Sequence, residues 1–167
     1  YIEQSISSVL EQTYGNVELL VIDDGSTDGS VFVIKRLLTA HAFNFIEQAN
    51  QGLSKTLNEA IGRAQGSLIA PFGSDDVMLP DRLRQQVEYL LDKPSVGICA
   101  GDIQLIDSNG EIIAASSGKR MVFRRLSFAD IILDRVPFPP AASMLLRKDA
   151  LLRAGGFDPS IRLEDLQ

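Results

Sequence analysis

The 167-residue sequence holds one cysteine, Cys99, one histidine, His41, and no tryptophan. A single cysteine allows no internal disulfide and leaves nothing for a cysteine-based zinc site. Within the apolar run VGICAG it reads as core, and His41, at the end of a helical pattern, reads as surface. No apolar run is long enough to span a bilayer, and no signal peptide is evident. The simplest compartment is the cytoplasm, with the inner face of the membrane as a place of peripheral association for the full-length protein. Basic residues are in the minority: 16 Lys and Arg stand against 22 Asp and Glu, a net charge of −6. That balance argues against the clustered basic face a nucleic acid requires. GxGxxG is also missing, which counts against a nicotinamide-dinucleotide fold.

What the sequence does have is 45% hydrophobic residues, enough for one domain over residues 1–167 with a sizeable core. Its most informative stretch is VELLVIDDGSTDGS, Val17 to Ser30, where an apolar run stops at Asp23 and Asp24. The run does not alternate, as expected of a strand buried on both faces of a parallel sheet. Ligands of open α/β sheets lie beyond the carboxyl ends of the strands, where these two acids fall. The run SLIAPFG, Ser67 to Gly73, repeats the design and leads into Ser74, Asp75 and Asp76. One acid pair is commonly a solvated turn or helix cap. Two, each closing an apolar run, point to a site.

Around these runs the spacing predicts helices over residues 1–12, 29–42 and from Leu53 to Ala64, where Leu53, Leu57, Ala60, Ile61 and Ala64 share one face. Pro80 suits the first turn of a helix carried by Leu83, Val87, Leu90 and Leu91, and Phe43 to Glu47 reads as a short strand. This alternation is that of a parallel α/β sheet. From Val96 the pattern changes, with strand-like residues 96–107 and 111–115 joined by the hairpin signal Ser108-Asn109-Gly110. A basic loop is expected over 116–125, a short helix near 126–133, a strand over 141–146 and a helical turn over 148–154. Tyr1 opens directly on a helical pattern with nothing ahead to cap it. The chain reads as starting and ending inside a domain.

The acids also suggest a chemistry. A carboxylate about 4 Å from a phosphate charge repels it by roughly 4 kcal/mol at an effective dielectric near 20, and a divalent metal reverses that sign. Mg²⁺ or Mn²⁺ is held by one or two carboxylates plus phosphate oxygens, an arrangement that Asp75 and Asp76 fit. Asp23 and Asp24 can accept hydrogen bonds from a base or ribose. A metal-bound diphosphate leaves without a general acid, but a base is still needed, and Glu164 and Asp165 in SIRLEDLQ have the right type. A receiver-type phospho-acceptor signalling domain would also place an acid pair after its first strand, although the Asn109-Gly110 hairpin has no place in it.

In order along the chain, ISSVLEQTY, NVELLVIDDGSTDGS, NQGLSKTLNEAIGRAQGSLIAPFGSDDVMLP and AGGFDPSIRLED resemble the family 2 glycosyltransferases, inverting enzymes of the GT-A fold. The resemblance implies an α/β nucleotide-diphospho-sugar transferase domain with a mixed, mainly parallel sheet flanked by helices. It implies a donor-binding half over residues 1–95 and an acceptor-side half over 96–167. Asp23 and Asp24 would contact the nucleotide, Asn50, Gly52 and Asn58 would border the donor pocket, and Asp75 and Asp76 would bind Mg²⁺ or Mn²⁺, Asp75 also facing the donor. Asp165, with Glu164 beside it, would be the base. The implied partners are a nucleotide-sugar, with UDP-sugars ahead of GDP- and dTDP-sugars, and a glycan or lipid-linked acceptor, in polysaccharide synthesis. A non-catalytic donor-binding relative is the alternative within the fold. Three departures stand out. The family's first strand and its PxYN-like turn have no counterpart, its acceptor-side segment after the Glu-Asp pair is missing, and Gly73 replaces the first acid of its Asp-x-Asp-Asp motif.

Overall fold

The computed structural model describes residues 1–114, 125–127, 129–130, 133 and 139–160. It begins with helix α1 (Ile2–Leu10), strand β1 (Leu20–Asp24), helix α2 (Ser30–Leu38), strand β2 (Asn44–Gln48) and helix α3 (Leu53–Arg63). Strand β3 (Leu68–Ile69), helix α4 (Arg82–Asp92) and strands β4 (Ile98–Ala100), β5 (Leu105–Ile106) and β6 (Ile112–Ala114) follow. A 3₁₀ turn at Ala141–Ser143 then leads into strand β7 (Met144–Arg147) and helix α5 (Lys148–Arg153).

β1 and β2 run parallel, with Asp23 opposite Glu47 and Asp24 opposite Gln48. β7 lies antiparallel between β3 and β4. β5 and β6 form the expected hairpin. The sheet structure is mixed, but among the described residues only one of the four pairings is parallel. Residues 96–107 do not form one strand: β4 joins β7, residues 101–104 carry no strand pairing, and β5 turns to β6. The expected strand over 141–146 likewise starts as a 3₁₀ turn, because Ser143 closes back through its amide and hydroxyl onto the Pro140 carbonyl. The expected basic loop lies almost wholly outside the described residues; of the short helix expected near 126–133, residues 126, 127, 129, 130 and 133 are described, and the Leu133 amide donates to the Ala129 carbonyl at 3.1 Å.

The apolar residues gather in two clusters. Ile6, Ile34 and Leu37 form one, backed by Val21, Phe43 and Phe45. Met78, Leu83, Val87, Leu90 and Leu145 form the other, against which Cys99 packs. α1 serves both, giving Ile6 to the first and Val9 to the second. Among the fully described side chains Leu90 is the one completely shut from solvent.

Between the clusters lies an apolar slot of about 420 Å³. β1 and β3 both line it, and no hydrogen-bonded ladder joins them. The apolar face foreseen for α3 turns into this slot through Leu53, Leu57, Ala60, Ile61 and Ala64. The slot explains why β1 is only half-buried along Leu20, Val21 and Ile22, where a strand covered on both faces was expected.

Candidate functional site

Asp23 is buried at the end of β1, and its Oδ2 accepts hydrogen bonds from the backbone amides of Gly25 (3.3 Å) and Ser26 (3.1 Å). The carboxylate therefore shapes the turn that follows. Gly25 takes φ +84°, and a Cβ there would lie 2.8 Å from the Asn50 backbone nitrogen. Only glycine lets the 50–52 loop press so closely on this turn.

Asp24 points across to that loop. Its Oδ2 accepts from the Gly52 amide at 2.9 Å, and its Oδ1 from the Gln51 amide at 3.0 Å and Gln48 Nε2 at 2.8 Å. Gln48 Nε2 also donates to Thr56 Oγ1 at 3.0 Å, in the first turns of α3. Burial pushes the Asp24 carboxyl up, but the hydrogen bonds from Gln48, Gln51, Gly52 and Thr56 outweigh it and hold the group below the usual carboxylate range. Gly52, at φ +90°, precedes α3. Asn50 and Gly52 thus lie against the first acid pair.

The second acid pair sits beyond β3. A Cβ on Gly73 would meet Asp76 Oδ2 at 2.6 Å and Asp75 Oδ1 at 3.1 Å, so the two carboxylates converge over the bare Cα of Gly73. Asp76 occupies the space that an acidic side chain at position 73 would need. Burial, and then the like charge of Asp75, raise the Asp76 carboxyl above its ordinary value, against the Gly73 amide and the charge of Arg82. Crowded hard oxygen donors of this kind fit a divalent ion that takes its remaining ligands from phosphate oxygens and water. Among the described residues no group of three or more His, Cys, Asp or Glu is placed to hold a metal ion by itself.

The loop carrying these acids is shaped by a polar face of α1 that periodicity does not reveal. Ser5 Oγ donates to the Gly73 carbonyl at 2.9 Å, and Ser8 Oγ accepts from the Met78 amide at 3.0 Å. Gln12, just past the helix, donates to the Leu79 carbonyl (2.8 Å) and accepts from the Leu83 amide (3.0 Å). All three side chains are buried. Arg82 is a further residue missed from sequence. It donates to Gln86 Oε1 (3.1 Å) and the Met144 carbonyl (2.9 Å), and its guanidinium lies 5.6 Å from the centroid of the Phe72 ring. Burial lowers its pKa to about 10, so it stays charged beside Asp76 at neutral pH. A cation closely following an acid pair was the available signal.

Asn58 bonds to a different segment of the chain. Its Nδ2 donates to the Phe157 carbonyl (2.7 Å) and its Oδ1 accepts from the Phe157 amide (2.9 Å). Glu164 and Asp165 lie outside the described residues.

The profile described as Glycosyl transferase family 2 matches residues 1–153. An uncharacterised glycosyltransferase of Nostoc sp. is 32% identical over 166 residues, covering 95% of this chain and 50% of that protein. The Escherichia coli UDP-Glc:alpha-D-GlcNAc-diphosphoundecaprenol beta-1,3-glucosyltransferase WfgD is 28% identical over 154 residues, covering 89% and 60%. The chain therefore spans about half to three-fifths of the length of these relatives. Among solved structures, the mannosyltransferase PcManGT from Pyrobaculum calidifontis, in complex with GDP-Man and Mn²⁺, superposes with a TM-score of 0.69 at 22% identity over 96% of this chain and 44% of that one. That likeness is one of fold, the GT-A fold.

Proposed function

Because this chain belongs to glycosyl transferase family 2, we propose that it moves a sugar, with inversion, from a nucleotide-diphospho-sugar to a hydroxyl of a glycan or lipid-linked acceptor in cell-surface polysaccharide synthesis. The observation that carries this reading is two acid pairs, one at the end of β1 tied down by backbone amides and one in the loop beyond β3 holding two carboxylates against each other. Asp24 and Asp23 form the nucleotide side with the 50–52 loop. Asp75 and Asp76 hold Mg²⁺ or Mn²⁺, which when bound offsets the charge of the diphosphate and stabilises it as a leaving group. UDP-sugars rank first, supported by the UDP-Glc in the name of the Escherichia coli relative, with the GDP-Man bound to the Pyrobaculum protein favouring GDP-sugars next.

Asp165 serves as the base, with Glu164 as its neighbour. An acceptor hydroxyl is a poor nucleophile, and inversion requires its proton to leave on the face opposite the diphosphate. In the full-length protein Asp165→Asn should lower transfer by about 10²- to 10⁴-fold while metal-dependent donor binding persists. Turnover near that of the parent would remove Asp165 from the role.

The reading as a whole is tested by thermal shift with UDP, GDP and dTDP and their sugars, each with and without Mn²⁺. Stabilisation by at least one nucleoside diphosphate, only with metal, is expected. No shift with any of them, or equal shifts without metal, would overturn it. Donor binding without transfer to any acceptor would favour a non-catalytic relative.

A further inference from the structure

Helix α3 is fastened at two places that belong to different parts of the chain. At its start, the Asp24 carboxylate accepts from the Gln51 and Gly52 amides, and Gln48 bridges Asp24 to Thr56. Two residues further on, Asn58 holds both backbone polar groups of Phe157, 99 residues away in sequence. The fit there is close. Gly156 takes φ +76°, and a Cβ on it would lie 2.5 Å from Asn58 Oδ1. The side-chain amide of Asn58 thus pairs with Phe157 as one strand residue pairs with another, and it has one donor hydrogen and one acceptor lone pair left for anything else.

We infer that Asn58 is a positioning residue, which fixes the Gly155-Gly156-Phe157 loop in register with the Asp23-Asp24 turn through α3, rather than a contact to the donor nucleotide. The inference deepens the transfer reading above and rests on it. α3 spans Leu53–Arg63 as one continuous helix, so the two fastenings are held at a fixed offset along it. A donor seated at the acidic turn and an acceptor approaching from the Phe157 side would meet in a geometry set by this helix. Misplacement of reacting groups by a fraction of an ångström to an ångström lowers turnover more than it lowers binding of either substrate alone.

Two variants break the clamp from opposite sides. Asn58→Leu removes the amide with little change of size, and Gly156→Ala drives a methyl group into it without altering α3. In both, backbone amide exchange at Phe157 should quicken by about tenfold, equivalent to about 1.4 kcal/mol. The kcat for sugar transfer should fall by about tenfold, while the Kd for UDP with Mn²⁺ stays within about twofold of the parent. In a cycle of Asn58→Ala, Gly156→Ala and their double variant, the methyl group no longer meets the amide in the double variant, so its loss should be smaller than the product of those two single losses. Unchanged exchange at Phe157 would overturn the clamp, and a loss of UDP affinity matching the loss of kcat would return Asn58 to the donor site. If the parent bound no nucleoside diphosphate, the transfer reading would fail, and exchange at Phe157 would still decide whether the clamp exists.

Discussion

At the scale of single residues, one acid of each pair departs from its ordinary behaviour, and the two depart in opposite directions although both pairs read as Asp-Asp. Asp24 is satisfied by donors and held below the usual carboxylate range, while Asp76 is pushed above it by burial and by Asp75. The linkage signs follow. Asp24 contributes stability that is present above its unfolded pKa and lost as pH falls through its lower folded value. Asp76, with a raised folded pKa, costs nothing when protonated, and its penalty develops as pH rises from the unfolded value through the folded one. Asp76→Asn should therefore raise the melting temperature of the metal-free protein at neutral pH, with no gain at a pH below both values. The same variant should weaken metal-dependent UDP binding strongly. Calorimetric melts at two pH values, paired with titrations of UDP and Mn²⁺, check both halves. A variant that binds UDP and Mn²⁺ like the parent would remove Asp76 as a metal ligand.

At the scale of elements, α1 shows why some of the site was legible in the sequence and some was not. Ile2, Ile6, Val9 and Leu10 announce an amphipathic helix, and all four pack as that spacing suggests. Ser5, Ser8 and Gln12 look like its wet face and are instead buried, because the acid loop lays its backbone on them. No periodicity reports a buried polar stripe whose partners lie about 70 residues downstream. Asp23, Asp24, Asp75 and Asp76 were legible because an apolar run ending in acids is a local pattern. The Asn58 clamp was not, since Phe157 lies 99 residues away, and Arg82 was legible only through the acid pair just ahead of it, not through its bond to the Met144 carbonyl. Loss of the Ser8 hydroxyl should leave the Met78 amide buried without an acceptor, and Ser8→Ala should cost about 1–3 kcal/mol in denaturant melts. Affinity for Mn²⁺ with UDP should drop in the same variant, because the loop bearing Asp75 and Asp76 loses a fixed point. A variant as stable as the parent would show that α1 does not shape that loop.

At the scale of the whole molecule, the slot between the two apolar clusters is a gap in the packing. β1 and β3 both border it without pairing, and it is lined by α1 and by the apolar face of α3. Its walls are largely apolar side chains of β1, β3 and α3, the kind of surface a further strand would cover. An apolar strand-length extension ahead of Tyr1 should raise the melting temperature by about 5 °C or more and reduce self-association through the exposed edges. Equal melting temperatures and equal monodispersity with and without the extension would show that the slot needs no strand.

The contacts of α1 with the acid loop also set an order of events during folding. Ser5 meets Gly73 across 68 residues, Ser8 meets Met78 across 70, and Gln12 meets Leu83 across 71. Closing a flexible loop of that length costs about 4 kcal/mol in chain entropy before any contact offsets it. β1 and β2, joined through α2 over a far shorter span, can pair earlier. The acid loop thus acquires its shape after β1 and β2 can pair, and a nascent chain cannot form it until Leu83 has left the ribosome. Metal-assisted nucleotide capture would then report that this late docking of the first helix is complete.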